Sequence, residues 1–191
     1  ESIANIFAKK KFAVGDRLDF FIPSKRHKGQ LPKLWENSEV MMNADTPNGL
    51  GWSENHNDSD LNKISNSENM IHFSLAGKSG NFIGEAKLRF PNSDGISRHD
   101  INLLPDYRSN GVGNEAWEIM VKMSERRWPQ SSILVTPSID NMTAIKYFTT
   151  LGFERVNGEI SLMPRKDDLK AAPFRYIKMI RKPNAAGNNM V

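Results

Sequence analysis

The chain contains no cysteine. That excludes a disulfide framework and thiolate metal sites, and leaves a fold that must stand on its hydrophobic core. Nor does any apolar run approach the roughly 18–20 residues that a membrane-spanning helix needs. No signal peptide is visible, and no His and carboxylate spacing suggests a metal site, so a cytoplasmic protein without metal is expected. The first residue is Glu1 and not Met. This reads as a fragment or a processed chain, and leaves a removed leader open.

At 191 residues the chain is long enough for one globular domain with short extensions. Expected boundaries are an N-terminal extension over 1–15, a single domain over 16–182, and a disordered tail over 183–191. Net charge is +4 and the isoelectric point about 9.3, which would suit a polyanion or a nucleotide-like cofactor. The basic clusters Lys9–Lys11 and Ser24–Lys28 lie near Phe12, Phe20 and Phe21. Those aromatics have the pattern of strand core and not of a stacking platform, which argues against nucleic acid as a partner.

Hydrophobic periodicity gives an ordered set of elements. Asp16–Ile22 is a first strand and Leu31–Met42 a helix. Residues 43–69 form a polar loop, with at most a weak helix at Asp60–Ile64. Met70–Leu75 and Phe82–Phe90 make a hairpin, and His99–Leu104 another strand. Next comes a helix striped by Ala116, Ile119, Met120 and Met123, with Glu118 and Lys122 paired on the wet side. Ser131–Pro137 is a buried strand. Asp140 or Asn141 caps a second helix, striped by Ala144, Tyr147, Phe148 and Leu151 and stopped by Gly152. Phe153–Val156 and Arg175–Ile180 close the chain as strands. The expected class is α/β with a mixed sheet: antiparallel pairing first, strand–helix–strand crossovers second.

The most informative stretch is LLPDYRSNGVGNEAWEIM, Leu103–Met120. It places Arg-Ser-Asn-Gly-Val-Gly, Arg108–Gly113, between a strand and the start of a helix. Glycines there let the backbone approach a ligand closely. The free N–H groups of the first helical turn, with the positive end of the helix dipole behind them, form an anion cradle. A P-loop would require Gly-Lys-Ser/Thr, but Gly113 is followed by Asn114 and Glu115. A dinucleotide fingerprint tolerates Ala116 at its third position. It should, however, follow the first strand and be answered by an acid at the end of the next one, and Ser131–Pro137 has no acid.

About 30 residues further on stands NMTAIKYFTTLGF, Asn141–Phe153, with a strand between the two motifs. Together, in this order, they resemble the GNAT acetyltransferases. The Gly-Asn-Glu-Ala after the glycine pair and the Phe-Ile-Gly in the hairpin are similar to the subgroup that acetylates ribosomal-protein N-termini. The resemblance implies a mostly antiparallel sheet flanked by helices, whose fourth and fifth strands splay apart to admit acetyl-CoA. It implies that the turn Asn110, Gly111, Val112 and Gly113, shaped by Arg108 and Ser109, binds the pyrophosphate. The main chain of Leu103 and Leu104 would pair with the pantetheine arm, and Asn141 and Phe148 would contribute to the cofactor site.

The acceptor implied is a primary amine, a protein or peptide amine first and a small amine or polyamine next. Direct attack needs no covalent enzyme intermediate, only a group to take a proton and a group to give one. The family's frequent acid, a Tyr five residues before the Phe of Leu-Gly-Phe, is replaced by Phe148, with Tyr147 as neighbour about 100° around the helix. Its frequent base on the fourth strand is replaced by Ser97, which leaves His99, Asp100 and Glu85 as candidates. His99 and Asp100 are expected on opposite faces of their strand. The alternative is a catalytically silent module of the same fold that binds acyl-CoA as a sensor or scaffold. The acceptor pocket is expected from the early helices and the long loop Asn157–Pro173, where Asp167 and Asp168 could attract an amine. The segment Trp52–Asp60 reads as a lid or a mobile loop. The acceptor's identity and the oligomeric state, a homodimer included, stay open at this level.

Overall fold

A computed structural model describes residues 11–23, 30–41, 67–163 and 173–183. The elements in chain order are β1 (Lys11–Val14), β2 (Leu18–Phe21), α1 (Leu31–Trp35), α2 (Ser38–Met41), β3 (Met70–Gly77), β4 (Phe82–Arg89) and β5 (Ile96–Leu103). They continue with α3 (Val112–Arg127), β6 (Ser132–Val135), α4 (Met142–Thr150), β7 (Glu154–Met163) and β8 (Phe174–Arg181). The strands form one sheet in the order β1-β2-β3-β4-β5-β6-β8-β7. Every neighbouring pair is antiparallel except β5 and β6, which α3 joins as a parallel crossover. The expected α/β class with a mostly antiparallel sheet is what the chain adopts.

Several boundaries differ from those read in the sequence. Lys11–Val14, inside the expected N-terminal extension, is an edge strand on β2. The single helix expected over Leu31–Met42 is two short helices, because the Asn37 side chain accepts from the Val40 N–H at 3.1 Å and caps a new start. The expected strand Phe153–Val156 runs on to Met163, so the first part of the expected acceptor loop is strand. It does so by a bulge: the register with β8 shifts between Arg155 and Ile160, where Asn157 and Gly158 have φ of 57° and 66°. Asp167, Asp168, the segment Trp52–Asp60, the helix at Asp60–Ile64 and the tail beyond Pro183 lie outside the described residues.

Among the described residues three apolar clusters hold the layers together. Leu18, Phe20, Phe73, Leu75 and Leu88 on the sheet pack against Val112, Ala116 and Met120 of α3. On the other face, Leu31, Leu34 and Trp35 of α1 and Val40 and Met41 of α2 cover Phe21, Ala76 and Phe82. A third cluster joins Trp117 and Val121 of α3 to Ile133, Val135, Phe153, Ile177 and Met179. The sequence stripe found the first of α3's two buried faces and missed the second. In α4 the one buried residue is Ile145, not a member of the expected stripe. That stripe is only half-buried because α4 divides its surface between the third cluster and an open cleft.

The hairpin β3–β4 sets the position of β5 through Gly84, which stands opposite Leu103. A Cβ on Gly84 would overlap the Asn102 carbonyl oxygen. Gly84→Ala is therefore expected to cost about 1–3 kcal/mol, as overpacking of a close backbone contact does. Denaturant midpoints at constant slope measure it, and an unchanged midpoint would show that β5 has slack.

Candidate active site

The site begins where β5 and β6 part. Their parallel pairing covers only Ile96–Arg98 against Ser132–Leu134. Beyond it, β6 pairs with β8 on its far side, while β5 stays on β4 as far as Leu103. A cleft of about 1000 Å³ opens between them. Main-chain groups alternate in direction along a strand. The Leu104 N–H donates to the Ile83 carbonyl, on the β4 side, and the Ser132 N–H donates to the Gly95 carbonyl, on the β6 side. By that alternation the main chain of Ile101 and the N–H of Leu103 point into the gap.

The glycine turn closes one end of the cleft. Gly111 is the N-cap of α3 with φ 82° and ψ −5°, a left-handed conformation that costs other residues strain. The first intrahelical bond is from the Glu115 N–H to the Gly111 carbonyl at 3.1 Å. Among the described residues no side chain caps the helix start, and the N–H groups of Val112, Gly113 and Asn114 have no partner within the helix. A Cβ on Gly111 would stand 2.7 Å from a guanidinium nitrogen of Arg17. Arg17 is held there because its own N–H donates to both oxygens of the Glu115 carboxylate, at 2.9 and 3.2 Å. A cation from the β1–β2 turn thus sits at the turn, 94 residues away in sequence from Gly111. No local motif could have announced it. A close-approach cradle with uncapped amides and an added cation is the donor set a pyrophosphate needs.

Arg108 braces the turn. Its Nε and Nη2 donate to the Leu103 carbonyl at 3.1 and 3.0 Å, and its Nη1 donates to Glu39 of α2 at 2.8 Å. It therefore ties the end of β5 to the helices on the open face. Leu103, Arg108, Ser109, Gly111, Gly113, Asn141 and Phe148 line the cleft. Leu104, Asn110 and Val112 do not. Leu104 is spent on Ile83, Asn110 is exposed at the turn's outer edge, and the Val112 side chain enters the core, leaving only its amide at the cradle. Asn141 is the true N-cap of α4: its Oδ1 accepts from the Ala144 N–H at 3.0 Å. The other expected cap, Asp140, is not used.

The four candidates for proton transfer all line the cleft, in different environments. Glu85 is buried and fully engaged. Its carboxylate accepts from His72 Nε2 at 2.7 Å, from Lys87 Nζ at 2.8 Å and from Asn102 Nδ2 at 2.9 Å. Burial alone would raise its pKa, but Lys87 and His72 outweigh that and hold it far below the carboxylate range. Glu85 is thus a fixed anion and a poor base, which corrects the sequence expectation. His99 faces α3, with its ring 5.7 Å from Trp117, and shares a hydrogen bond of 3.2 Å with Ser97 Oγ. Its Nδ1 is buried without a hydrogen-bond partner. Ser97, the position at which the family resemblance implied an acid, is fully buried on the same face and reaches Ser124 Oγ at 3.4 Å.

Asp100 takes the opposite, open face, as alternation requires. Its oxygens lie 3.8 Å from the Nε of Arg89 and of Arg98, too far for hydrogen bonds. Of the three acidic or imidazole candidates it alone keeps a partly exposed carboxylate in the cleft. Tyr147 places its hydroxyl 3.5 Å from the Asn114 carbonyl, across from the first turn of α3. Burial, and then Glu118, push its phenol up to about 12. Phe148 packs on Trp117 and Phe153, so α4 is turned to place Phe148 on the core and Tyr147 beside the cradle. The sequence reading missed Trp35, Lys87, Arg89, Arg98, Asn102 and Thr136 on the cleft wall. The alternation of charged residues along Phe82–Arg89 and Ile96–Leu103 was the signal for most of them.

Burial lowers the His99 imidazole from 6.5 to about 4. It is therefore neutral in the folded protein near pH 7, whereas the unfolded chain takes up the proton first as pH falls. Stability linked to this group is complete above about pH 6.5, declines as pH falls through that interval, and is gone below about pH 4. The loss should be up to about 3 kcal/mol. His99→Gln should lack it. Denaturant midpoints at pH 7 and pH 4.5 test this, and equal losses in both proteins would assign the acid sensitivity elsewhere.

No curated protein matches the chain. Solved structures do, at low identity. A spermidine N-acetyltransferase from Vibrio cholerae, in complex with CoA and spermine, superposes with a TM-score of 0.73 at 14% identity, over 88% of this chain and 97% of its own. A ribosomal L7/L12 alpha-N-protein acetyltransferase in complex with coenzyme A gives 0.74 at 11% identity, over 92% and 99%. A GNAT-family acetyltransferase from Bacillus anthracis gives 0.72 at 13%, over 89% and 97%. At such identities these similarities establish the fold. The family model for the acetyltransferase (GNAT) family matches residues 38–153, from α2 through both motifs to the Phe that ends the second, and the chain belongs to that family.

Proposed function

We propose that the protein is an acetyl-CoA-dependent N-acetyltransferase that acts on a primary amine, with a protein or peptide amine favoured. One observation carries the reading. The uncapped start of α3, opened by left-handed Gly111, stands at the end of the gap into which Ile101 and Leu103 turn their main chain. An anion cradle joined to a row of free strand donors and acceptors fits a cofactor with phosphates at one end and an amide-bearing arm.

Acetyl-CoA supplies the activated acyl thioester. The amides of Val112, Gly113 and Asn114, with Arg17, hold and orient its phosphates, and the main chain of Ile101 receives the arm as an added strand would. Asp100 holds the acceptor's ammonium on the open face and accepts its proton, so that a neutral amine can attack. The fixed charge of Glu85 keeps Lys87 in place beside it. Tyr147 keeps its proton on Oη at physiological pH and is the phenol on the cleft wall that can return one.

Two measurements test this. Thiol release from acetyl-CoA across a panel of peptide and small amines should show turnover. CoA binding without turnover on any amine would instead favour the silent acyl-CoA sensor. Gly111→Glu should abolish the thermal stabilisation that CoA gives, since it adds strain, bulk and negative charge to the cradle. Undiminished stabilisation would remove the turn from the site.

A further inference from the structure

The open face of the cleft carries an arrangement that acetyl transfer alone does not require. Arg89 and Arg98 are direct partners in the β4–β5 register. Like charges placed opposite one another across strands destabilise a sheet. Among the described residues one carboxylate, Asp100, answers both guanidiniums, at 3.8 Å from each Nε. The other cations of this wall are already committed: Lys87 to Glu85, and Arg108 to the Leu103 carbonyl and Glu39. Arg98 is also held in place, since its Nη2 donates to Thr136 Oγ1 at 2.8 Å while its Nε is buried without a hydrogen-bond partner. Two cations to one anion, with a fixed guanidinium short of an acceptor, is an unfilled anion site.

That anion is not the phosphate of the cradle. Arg98 lies five residues before Leu103 along β5, a distance of about 17 Å at strand rise. It stands at the other end of the cleft from Gly111, where the acceptor must enter. We propose that the acceptor is an amine borne on a backbone that also carries a carboxylate, as in a peptide N-terminus followed by an acidic residue. Its ammonium pairs with Asp100 and its carboxylate with Arg98 and Arg89. The planar guanidinium fork suits a carboxylate, and a wall with one anion beside two cations complements a ligand that carries one ammonium and one carboxylate. A polyamine, cationic along its length, would satisfy Asp100 and meet both arginines as like charges. This inference rests on the acetyl-transfer reading above.

The test compares two peptides that differ only in the second residue, Ser-Glu against Ser-Gln, with spermidine as a third acceptor. The wild-type protein should prefer the Glu peptide by about tenfold in kcat/KM, and the preference should shrink with added salt. Arg98→Gln should bring the ratio towards one, and Arg98→Lys should restore part of it. If Arg98→Gln fails to fold, the more exposed Arg89→Gln should reduce the same ratio. A wild-type ratio near one, or a preference for spermidine, overturns the proposal and leaves acetyl transfer standing. If CoA binds and no acceptor turns over, the acetyl-transfer reading fails. Direct binding of the two peptides to the CoA-loaded protein then decides this proposal separately, and equal dissociation constants overturn it.

Discussion

Everything at the site depends on the parting of β5 from β6 after Arg98. A sheet interior normally pairs every strand on both sides, because unpaired backbone groups are costly away from water. Here β6 leaves β5 to follow β8, and Trp117 and Val121 of α3 fill the space beneath the separating strands. The exposed strand end is managed locally: Arg108 satisfies the Leu103 carbonyl, and β4 takes the Leu104 N–H. What stays open is the short stretch of main chain at Ile101 and Leu103 that faces the gap.

The alternation of β5 then divides the chemistry. Ser97, His99 and Leu103 face α3, where burial holds His99 neutral against Trp117. Arg98, Asp100 and Asn102 face the other way, onto a wall with Glu85, Lys87 and Arg89. The second face is the one with solvent access, where Asp100 keeps a partly exposed carboxylate beside Arg89 and Arg98. The first face supplies packing. Glu85 illustrates how environment overrides identity: a carboxylate in a cleft is a natural base until three donors fix its charge.

The helices around the cleft are coupled to it by single contacts. Arg108 connects the strand end to α2 through Glu39, and Glu115 holds the β1–β2 turn over the cradle through the Arg17 N–H. Substitutions at these positions act on the cleft through geometry before they act through charge.

The sequence by itself determined the class of fold, the cradle at Arg108–Gly113 and its link to the helix ending in Leu-Gly-Phe. These are local matters: turn glycines, helix caps and periodicity are written in neighbouring residues. Asn141 as a cap and the opposed faces of His99 and Asp100 follow from the same short-range rules. Only the tertiary structure decided that Glu85 is a fixed anion and that Leu104 and Val112 turn away from the cleft. It likewise brought Arg17 to the turn and set Arg89 opposite Arg98 beside Asp100. Each of these is fixed by strand register or by a partner far away in the chain, and no local pattern of residues encodes which strands will lie side by side.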